Sequence, residues 1–412
     1  MLKKIPVARL QVGMHLHELC GPWLAHPFWR KKFVVQDIED LIKLRASTVT
    51  ECWIDSSKGL DVDHGPHESQ PGPLAPPPLT RLQAKPPPPP ARPARVSLED
   101  EARRAAVLCG QAKRTVEGLF DEARMGRSLD IAGCMPLVEK ICVSVQRNAS
   151  AMLGLVRLKT HDDYTYMHSV AVSTLMIAVA QRLGLDEAEV RDAGLAGMLH
   201  DVGKARIPLE VLNKPGKLTP TEFDLMRNHP RHGHALLLAA GVDNAAVLDV
   251  ALHHHERPDG KGYPDALSGE TLSIHARMSA VCDVYDAITS QRAYKAAWSP
   301  AESIVKMAEW TKLGHFDPTV FRAFVDCVGI YPIGSLVRLR SERLATVIEL
   351  NDQAPVSPRV KVFFSIRAGM PVPSETLDLS EKGCSDRIIA RESNSTWNFP
   401  FLDDLTLAAT AT

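Results

Sequence analysis

The sequence predicts a mainly α-helical protein, with a small α+β module before the helices and a small β appendage after them. Three observations carry this. From Ser97 to about Val328, apolar residues recur at helical spacing and are punctuated by cap signals. Residues 63–96 hold twelve prolines, including Pro86 to Pro90, and almost no periodic apolar pattern. After Tyr331 the hydrophobic period shortens to that of strands. The expected organisation is therefore a module at 1–62, a linker at 63–96, a helical domain at 97–330 and an appendage with its tail at 331–412.

In the first module, Pro6 to Leu19 and Val49 to Ile54 have strand character. Gln36 to Leu44 has helical spacing through Ile38, Leu41 and Ile42. The proline tract cannot bury a core and favours an extended polyproline II spacer. Ser97-Leu98-Glu99-Asp100 reads as a helix start, and Ser128 to Ala149 as a second helix ending in polar residues. Tyr166 to Leu183 is apolar enough to be a buried helix, and Asp186 begins another that runs to about Leu199. Thr219-Pro220-Thr221-Glu222 has a capping-box arrangement, and Ser299-Pro300-Ala301-Glu302 repeats it. His229-Pro230 closes the helix begun at Thr219 in this reading. Ala245 to Leu252, Ile274 to Ser290 and Pro318 to Cys327 complete the helical set. Strands are expected at Ser335 to Leu339, Leu344 to Leu350 and Arg359 to Ser365. A weakly ordered tail is expected at Ala408 to Thr412.

Composition bounds the function. Hydrophobic residues make up 45% and charged residues 24% of the 412, as in ordinary soluble domains. The formal net charge of −1 gives no global basic field for a DNA or RNA polymer or an anionic membrane. No apolar run approaches the roughly 20 residues that a membrane-spanning helix needs. The N-terminus lacks the apolar stretch of a signal peptide. Eight cysteines include no C-x-x-C pair, so a thiolate zinc site is not expected and buried, reduced thiols are. These features together predict a cytoplasmic protein.

The chemistry-bearing residues lie in five segments: His168, His200-Asp201, His229, His254-His255 and Asp283. A hard or borderline divalent ion needs imidazoles and carboxylates converging from several elements. A lone buried histidine is ordinarily a hydrogen-bonded core residue, but five such segments on one helical domain point to a metal site. Asp283 is the most telling, because a carboxylate within the apolar run Val281-Cys282-Asp283-Val284-Tyr285 needs a cation to offset its burial. Asp286, three residues on, leaves two roles open, a helix cap or support for a ligand. Gly203 lets the chain turn sharply after Asp201 and places Lys204 near the same point.

These residues resemble the HD-GYP family, a branch of the HD metal-dependent phosphohydrolases. The resemblance covers about residues 164–324 through Tyr164-Thr165-Tyr166-Met167-His168-Ser169, His200-Asp201-Val202-Gly203-Lys204, Leu212-Asn213-Lys214-Pro215-Gly216-Lys217-Leu218-Thr219 and Asn228-His229-Pro230. It continues through His254-His255-Glu256 to Gly262-Tyr263-Pro264, then Asp283-Val284-Tyr285-Asp286-Ala287-Ile288-Thr289-Ser290 and Arg292-Ala293-Tyr294-Lys295. Residues 1–62 look like the module of unknown function that often precedes such domains.

The resemblance implies an all-helical HD-type domain and a phosphodiesterase that opens cyclic di-GMP to linear pGpG and onward to GMP. Its metal ligands fall on His168, His200, Asp201, His229, His254, His255 and Asp283, with Asp201 bridging two ions, iron or manganese. Attack in line by a hydroxide between the ions is the implied chemistry. Asp201 and Lys204 are the implied catalytic residues, and Lys204, Tyr263, Arg292 and Lys295 the implied substrate contacts. Members with three metals carry a glutamate one helical turn before the first histidine. Tyr164 stands there in this chain, so a two-metal centre is expected. Expected partners are cyclic di-GMP, diguanylate cyclases of the GGDEF type and a second copy of the chain. A rival reading is a catalytically weak adaptor that binds a cyclic dinucleotide or a cyclase through the Gly-Tyr-Pro surface. The complete ligand set argues against it.

Overall fold

The structure, a computed structural model, describes residues 2–20, 33–35, 51–60, 96–157, 164–290 and 297–411. The chain divides into two compact units, Met1–Pro87 and Pro88–Thr412. No described helix is long and apolar enough to cross a membrane.

The first unit holds an antiparallel sheet of β1 (Leu2–Pro6), β2 (His15–Cys20), β3 (Phe33–Val34) and β4 (Glu51–Asp55), in the order β1-β4-β2-β3. Ile5, Leu10, Met14, Leu16, Val35, Cys52 and Ile54 form its core. Pro6 to Leu19 is not the single strand expected. Pro6 lacks the N–H that would continue a ladder and ends β1; a 3-10 turn at Val7–Arg9 follows before β2 begins. The expected helix at 36–44 and most of the proline-rich segment lie outside the described residues.

The second unit begins with α1 (Leu98–Arg124), whose first turn is capped by Ser97 Oγ accepting from Asp100 N at 3.1 Å. The next helix, α2, runs over Cys134–Arg157, starting and ending later than its apolar pattern suggests. Asn148 explains the difference. Its backbone leaves the helix (φ −159°, ψ 95°), and its side chain accepts from Ser150 N and donates to Glu349 at 3.0 Å. The polar residues that read as an end are a kink, after which α2 resumes.

The next two helices are α3 (Tyr164–Leu183) and α4 (Glu187–Leu199), the latter opened by a capping box between Asp186 and Glu189. In α3 every residue from Met167 to Ala180 is buried, so this helix is the axis of the domain. The chain continues with the short α5 (Leu209–Leu212), then α6 (Pro220–Met226), α7 (His229–Ala239), α8 (Ala245–His253), α9 (Ile274–Thr289), α10 (Pro300–Lys312) and α11 (Pro318–Val328), and α1, α2, α4, α9 and α11 pack directly on α3. His229 does not close the helix begun at Thr219. That helix stops at Met226, and His229-Pro230 opens α7, where a proline lacking its N–H costs nothing in the first turn. Cys109, Cys134, Cys142 and Cys282 are buried and unbridged, and burial pushes the thiols of Cys109 and Cys134 up to about 12.

The C-terminal region is larger than its sequence suggests. It is a five-stranded antiparallel sheet of β5 (Leu336–Leu339), β6 (Arg343–Glu349), β7 (Arg359–Ser365), β8 (Met370–Asp378) and β9 (Ile388–Arg391), in the order β8-β7-β6-β5-β9. The two strands missed are its edges. Strand β8 carries Pro371 and Pro373 and is largely exposed, so it lacks an alternating apolar signal. After the sheet come α12 (Asn394–Trp397) and α13 (Leu402–Ala411), and α13 takes in Ala408 to Ala411 of the tail expected to be weakly ordered. Leu402 packs into an apolar cluster with Leu336, Leu344 and Phe363, and Asp403 pairs with Arg157 of α2 at 2.7 Å.

Sheet and helices share one compact unit. Leu350 N donates to Ser150 Oγ at 3.0 Å, beside the Asn148 kink. A cavity of about 30 Å³ lies where Ile333 and Leu350 meet Leu153, Val156, Tyr285 and Asp286.

Phe324 of α11 is fully buried, with its ring centroid 4.9 Å from that of Tyr285. Truncation removes its apolar area and leaves a cavity. Phe324→Ala is expected to cost about 3–5 kcal/mol in urea unfolding followed by circular dichroism at fixed metal concentration.

Candidate metal centre

The seven sequence-predicted ligands converge from five places in the fold. His168 lies in the second turn of α3, His200 caps the end of α4 with Asp201 following, and His229 opens α7. His254 caps the end of α8 with His255 following, and Asp283 lies within α9. The approach depends on Gly203. A Cβ there would lie 2.0 Å from the carbonyl oxygen of His229 and 2.4 Å from Gly233 N, so only glycine lets the turn after Asp201 rest on α7.

Asp201 is at the centre, and its two oxygens face different imidazoles. Oδ2 is 3.5 Å from His168 Nε2 and 3.4 Å from His200 Nε2. Oδ1 is 3.3 Å from His229 Nε2 and 3.7 Å from His254 Nε2. Asp283 closes both halves: Oδ1 is 2.9 Å from His168 Nε2, and Oδ2 is 3.7 Å from His255 Nδ1. Two donor groups result, His168–His200–Asp283 and His229–His254–His255, with Asp201 between them.

The backbone fixes which nitrogen of each ring faces inward. Nδ1 of His200 lies 2.8 Å from Gly197 O, that of His229 2.7 Å from Met226 O, and that of His254 3.0 Å from Val250 O. A carbonyl can only accept, so these Nδ1 atoms donate and each Nε2 presents a lone pair to the cavity. His168 donates through Nδ1 to Asp286 Oδ2 at 2.6 Å, which settles the open role of Asp286 as support for a ligand.

The arrangement fits divalent cations. His229 Nε2 and His254 Nε2 lie 3.0 Å apart, two lone pairs that face each other unless a cation stands between them. His200 Nε2 and Asp201 Oδ1 are buried and make no hydrogen bond, a costly condition without an ion. Protonation states agree. Burial works to raise the Asp201 carboxyl, but the adjacent Lys204 ammonium prevails and holds it well below the usual range. Asp283 is likewise held low, burial being outweighed by His168. Burial and the neighbouring imidazoles hold His254 well below its ordinary value, and burial takes His255 to about 3. Anionic carboxylates and neutral imidazoles are the ligating forms. The His168 imidazole is shifted up, because Asp283 and Asp286 override its burial, and a cation at that corner takes the place of its proton.

The remaining expected residues line the edge. Lys204 Nζ is 2.5 Å from Asp201 Oδ2, its side chain one-fifth exposed. Tyr263 stacks on His255 with ring centroids 4.7 Å apart. Its loop folds back over the ligands because Asp265 N donates to buried Glu256 Oε1 at 2.6 Å. Gly262 has no Cβ to strike Glu256 Cα, which would be 2.4 Å away. Arg292 and Lys295 lie outside the described residues. Glu256 stands in the His254-His255-Glu256 motif with no role predicted for it, and Arg227, whose guanidinium carbon lies 4.8 Å from the centre of the Tyr263 ring, escaped the sequence reading.

A helical bundle carrying this ligand set defines the HD class of domain, and the HD domain family model matches residues 144–320. A second family, a domain of unknown function, matches residues 2–134, further along the chain than the expected module end at 62. A cyclic di-GMP phosphodiesterase of Pseudomonas aeruginosa is 53% identical over 406 residues, 98% of this chain and 95% of the relative. A cyclic di-GMP phosphodiesterase response regulator of Xanthomonas campestris is 52% identical over 124 residues, 29% of this chain and 32% of its own length. A 3′3′-cGAMP-specific phosphodiesterase of Vibrio cholerae is 34% identical over 42% of this chain and 40% of its own. The chain belongs to the HD-GYP family.

Asp286→Asn keeps the shape of the group but weakens its hold on His168 Nδ1. It is expected to lower metal affinity about 10- to 100-fold in competition against a chromophoric chelator, with little loss of helix signal.

Proposed function

We propose that this protein is a metal-dependent phosphodiesterase that hydrolyses cyclic di-GMP to pGpG and onward to GMP. The observation that carries this reading is the bifacial Asp201 carboxylate, with one imidazole pair on each oxygen. Two divalent ions, iron or manganese, fit a donor set of five imidazoles and two carboxylates; His168, His200 and Asp283 would hold one, and His229, His254 and His255 the other, with Asp201 shared. When bound, such a pair supplies Lewis acidity toward the phosphate and acidifies water enough to be a nucleophile at neutral pH.

The residues of the chain do the rest. Asp201 and Asp283, held anionic, would hold two divalent cations whose excess positive charge would attract an anionic phosphodiester. The backbone carbonyls of Gly197, Met226 and Val250 lock the imidazoles against rotation. Lys204 stands at the edge of the centre, placed to pair with a phosphate oxygen or to pass a proton to the departing 3′-oxygen. Tyr263 offers a hydroxyl for a phosphate, its ring being already in contact with His255 and the Arg227 guanidinium. Arg292 and Lys295, three residues apart, are assigned to phosphate and guanine on the family pattern alone.

Asp201→Ala removes the shared carboxylate. It is expected to abolish conversion of cyclic di-GMP, read by chromatography of pGpG and GMP; turnover at the parental rate would refute the assignment. Elemental analysis of anaerobically purified protein is expected to give two equivalents of iron or manganese per chain. A third equivalent would contradict the reading of Tyr164.

A further inference from the structure

A cyclic dinucleotide carries two phosphodiesters, of which only one can lie at the metal pair during a turnover. The second needs cationic groups of its own, a task to which Arg292 and Lys295, outside the described residues, are assigned on the family pattern alone. Lys204 cannot serve both, because its ammonium is tied to Asp201 at the centre.

Arg227 is placed for this task. It is the residue that ends α6, two before the ligand His229, so the start of α7 fixes its position relative to the centre. Its guanidinium lies over the Tyr263 ring at 4.8 Å and near the Phe223 ring at 5.9 Å. Tyr263 in turn stacks on His255. Arg227 is thus seated two ring contacts from a metal ligand, on the exposed side of the Gly-Tyr-Pro loop. Nearby charged groups are already committed: Lys214 pairs with Glu222, and Arg231 with Asp265. No ion pair or side-chain hydrogen bond to the Arg227 guanidinium is found among the described residues.

The chemistry of the side chain decides which ligand suits it. A guanidinium seated by a ring and without an ion-pair partner still has N–H donors to offer. A planar fork of such donors fits a phosphate bidentately. We infer that Arg227, seated on Tyr263, binds the phosphodiester of the cyclic dinucleotide that is not being cleaved. This rests on the phosphodiesterase reading above and adds a substrate-recognition residue to it.

The test uses the full chain loaded with manganese and compares cyclic di-GMP with bis(p-nitrophenyl) phosphate, a diester with one phosphorus. Arg227→Ala is expected to raise KM for cyclic di-GMP about 10- to 100-fold, the scale of a charge-assisted hydrogen-bonding contact, with kcat changed by less than about threefold. KM for bis(p-nitrophenyl) phosphate should move far less. Arg227→Lys keeps the charge but not the fork, and is expected to recover only part of the loss. An unchanged KM for cyclic di-GMP in Arg227→Ala overturns the inference. An equal rise for both diesters would mean that the substitution disturbs the metal centre, and overturns it as well. Failure of the underlying reading looks different: the parental protein would turn over neither diester, and the inference would fall with it.

Discussion

Everything in the larger unit is arranged around one carboxylate. Asp201 is buried among imidazoles that approach both of its oxygens, with Lys204 as its one local cationic partner among the described residues. The helices that bring those imidazoles must end or begin within a few ångströms of it: α4 stops at it, α7 starts beside it, α8 stops across from it. An anion in this position would oppose folding strongly unless it were matched by positive charge. The fold and the cation site are therefore one requirement, because the helix termini that converge here also carry the ligands.

The remainder of the bundle makes that convergence possible. The long apolar run of α3 gives α1, α2, α4, α9 and α11 a common surface, and α8 packs in turn on α4 and α7. Carbonyls at the last turns of α4, α6 and α8 then orient the rings. Val250 O also accepts from His254 N at 3.0 Å, so one carbonyl there serves both the helix end and the imidazole. Helix ends serve as ligand supports, whereas helix interiors supply packing; Asp283 within α9 is the exception and is matched by His168 and His255.

Much of this was legible in the sequence, and the failures have physical causes. The caps at Ser97, Asp186, Thr219 and Ser299 were readable because capping is local chemistry, decided within four residues. The seven residues that converge were readable because each is chemically conspicuous in an apolar context. Errors arose where a local signal has two meanings. Proline after His229 was read as an end, although it is equally a beginning. Asn148 was read within a polar helix end, whereas its side chain reaches a residue two hundred positions away. Strand β8 was silent because an exposed edge need not alternate. Arg227 was silent because an arginine four residues after a phenylalanine is common, and only the return of a distant loop places Tyr263 beneath it.

The kink in α2 has a consequence for the architecture as a whole. Asn148 to Glu349 and Ser150 to Leu350 fasten the terminal sheet to the helix, and Ile333 and Leu350 reach the cavity that Asp286 also lines. Residues flanking the sheet thus share one cavity lining with the carboxylate that steadies the first histidine. The terminal region could not be exchanged for another without rebuilding that lining.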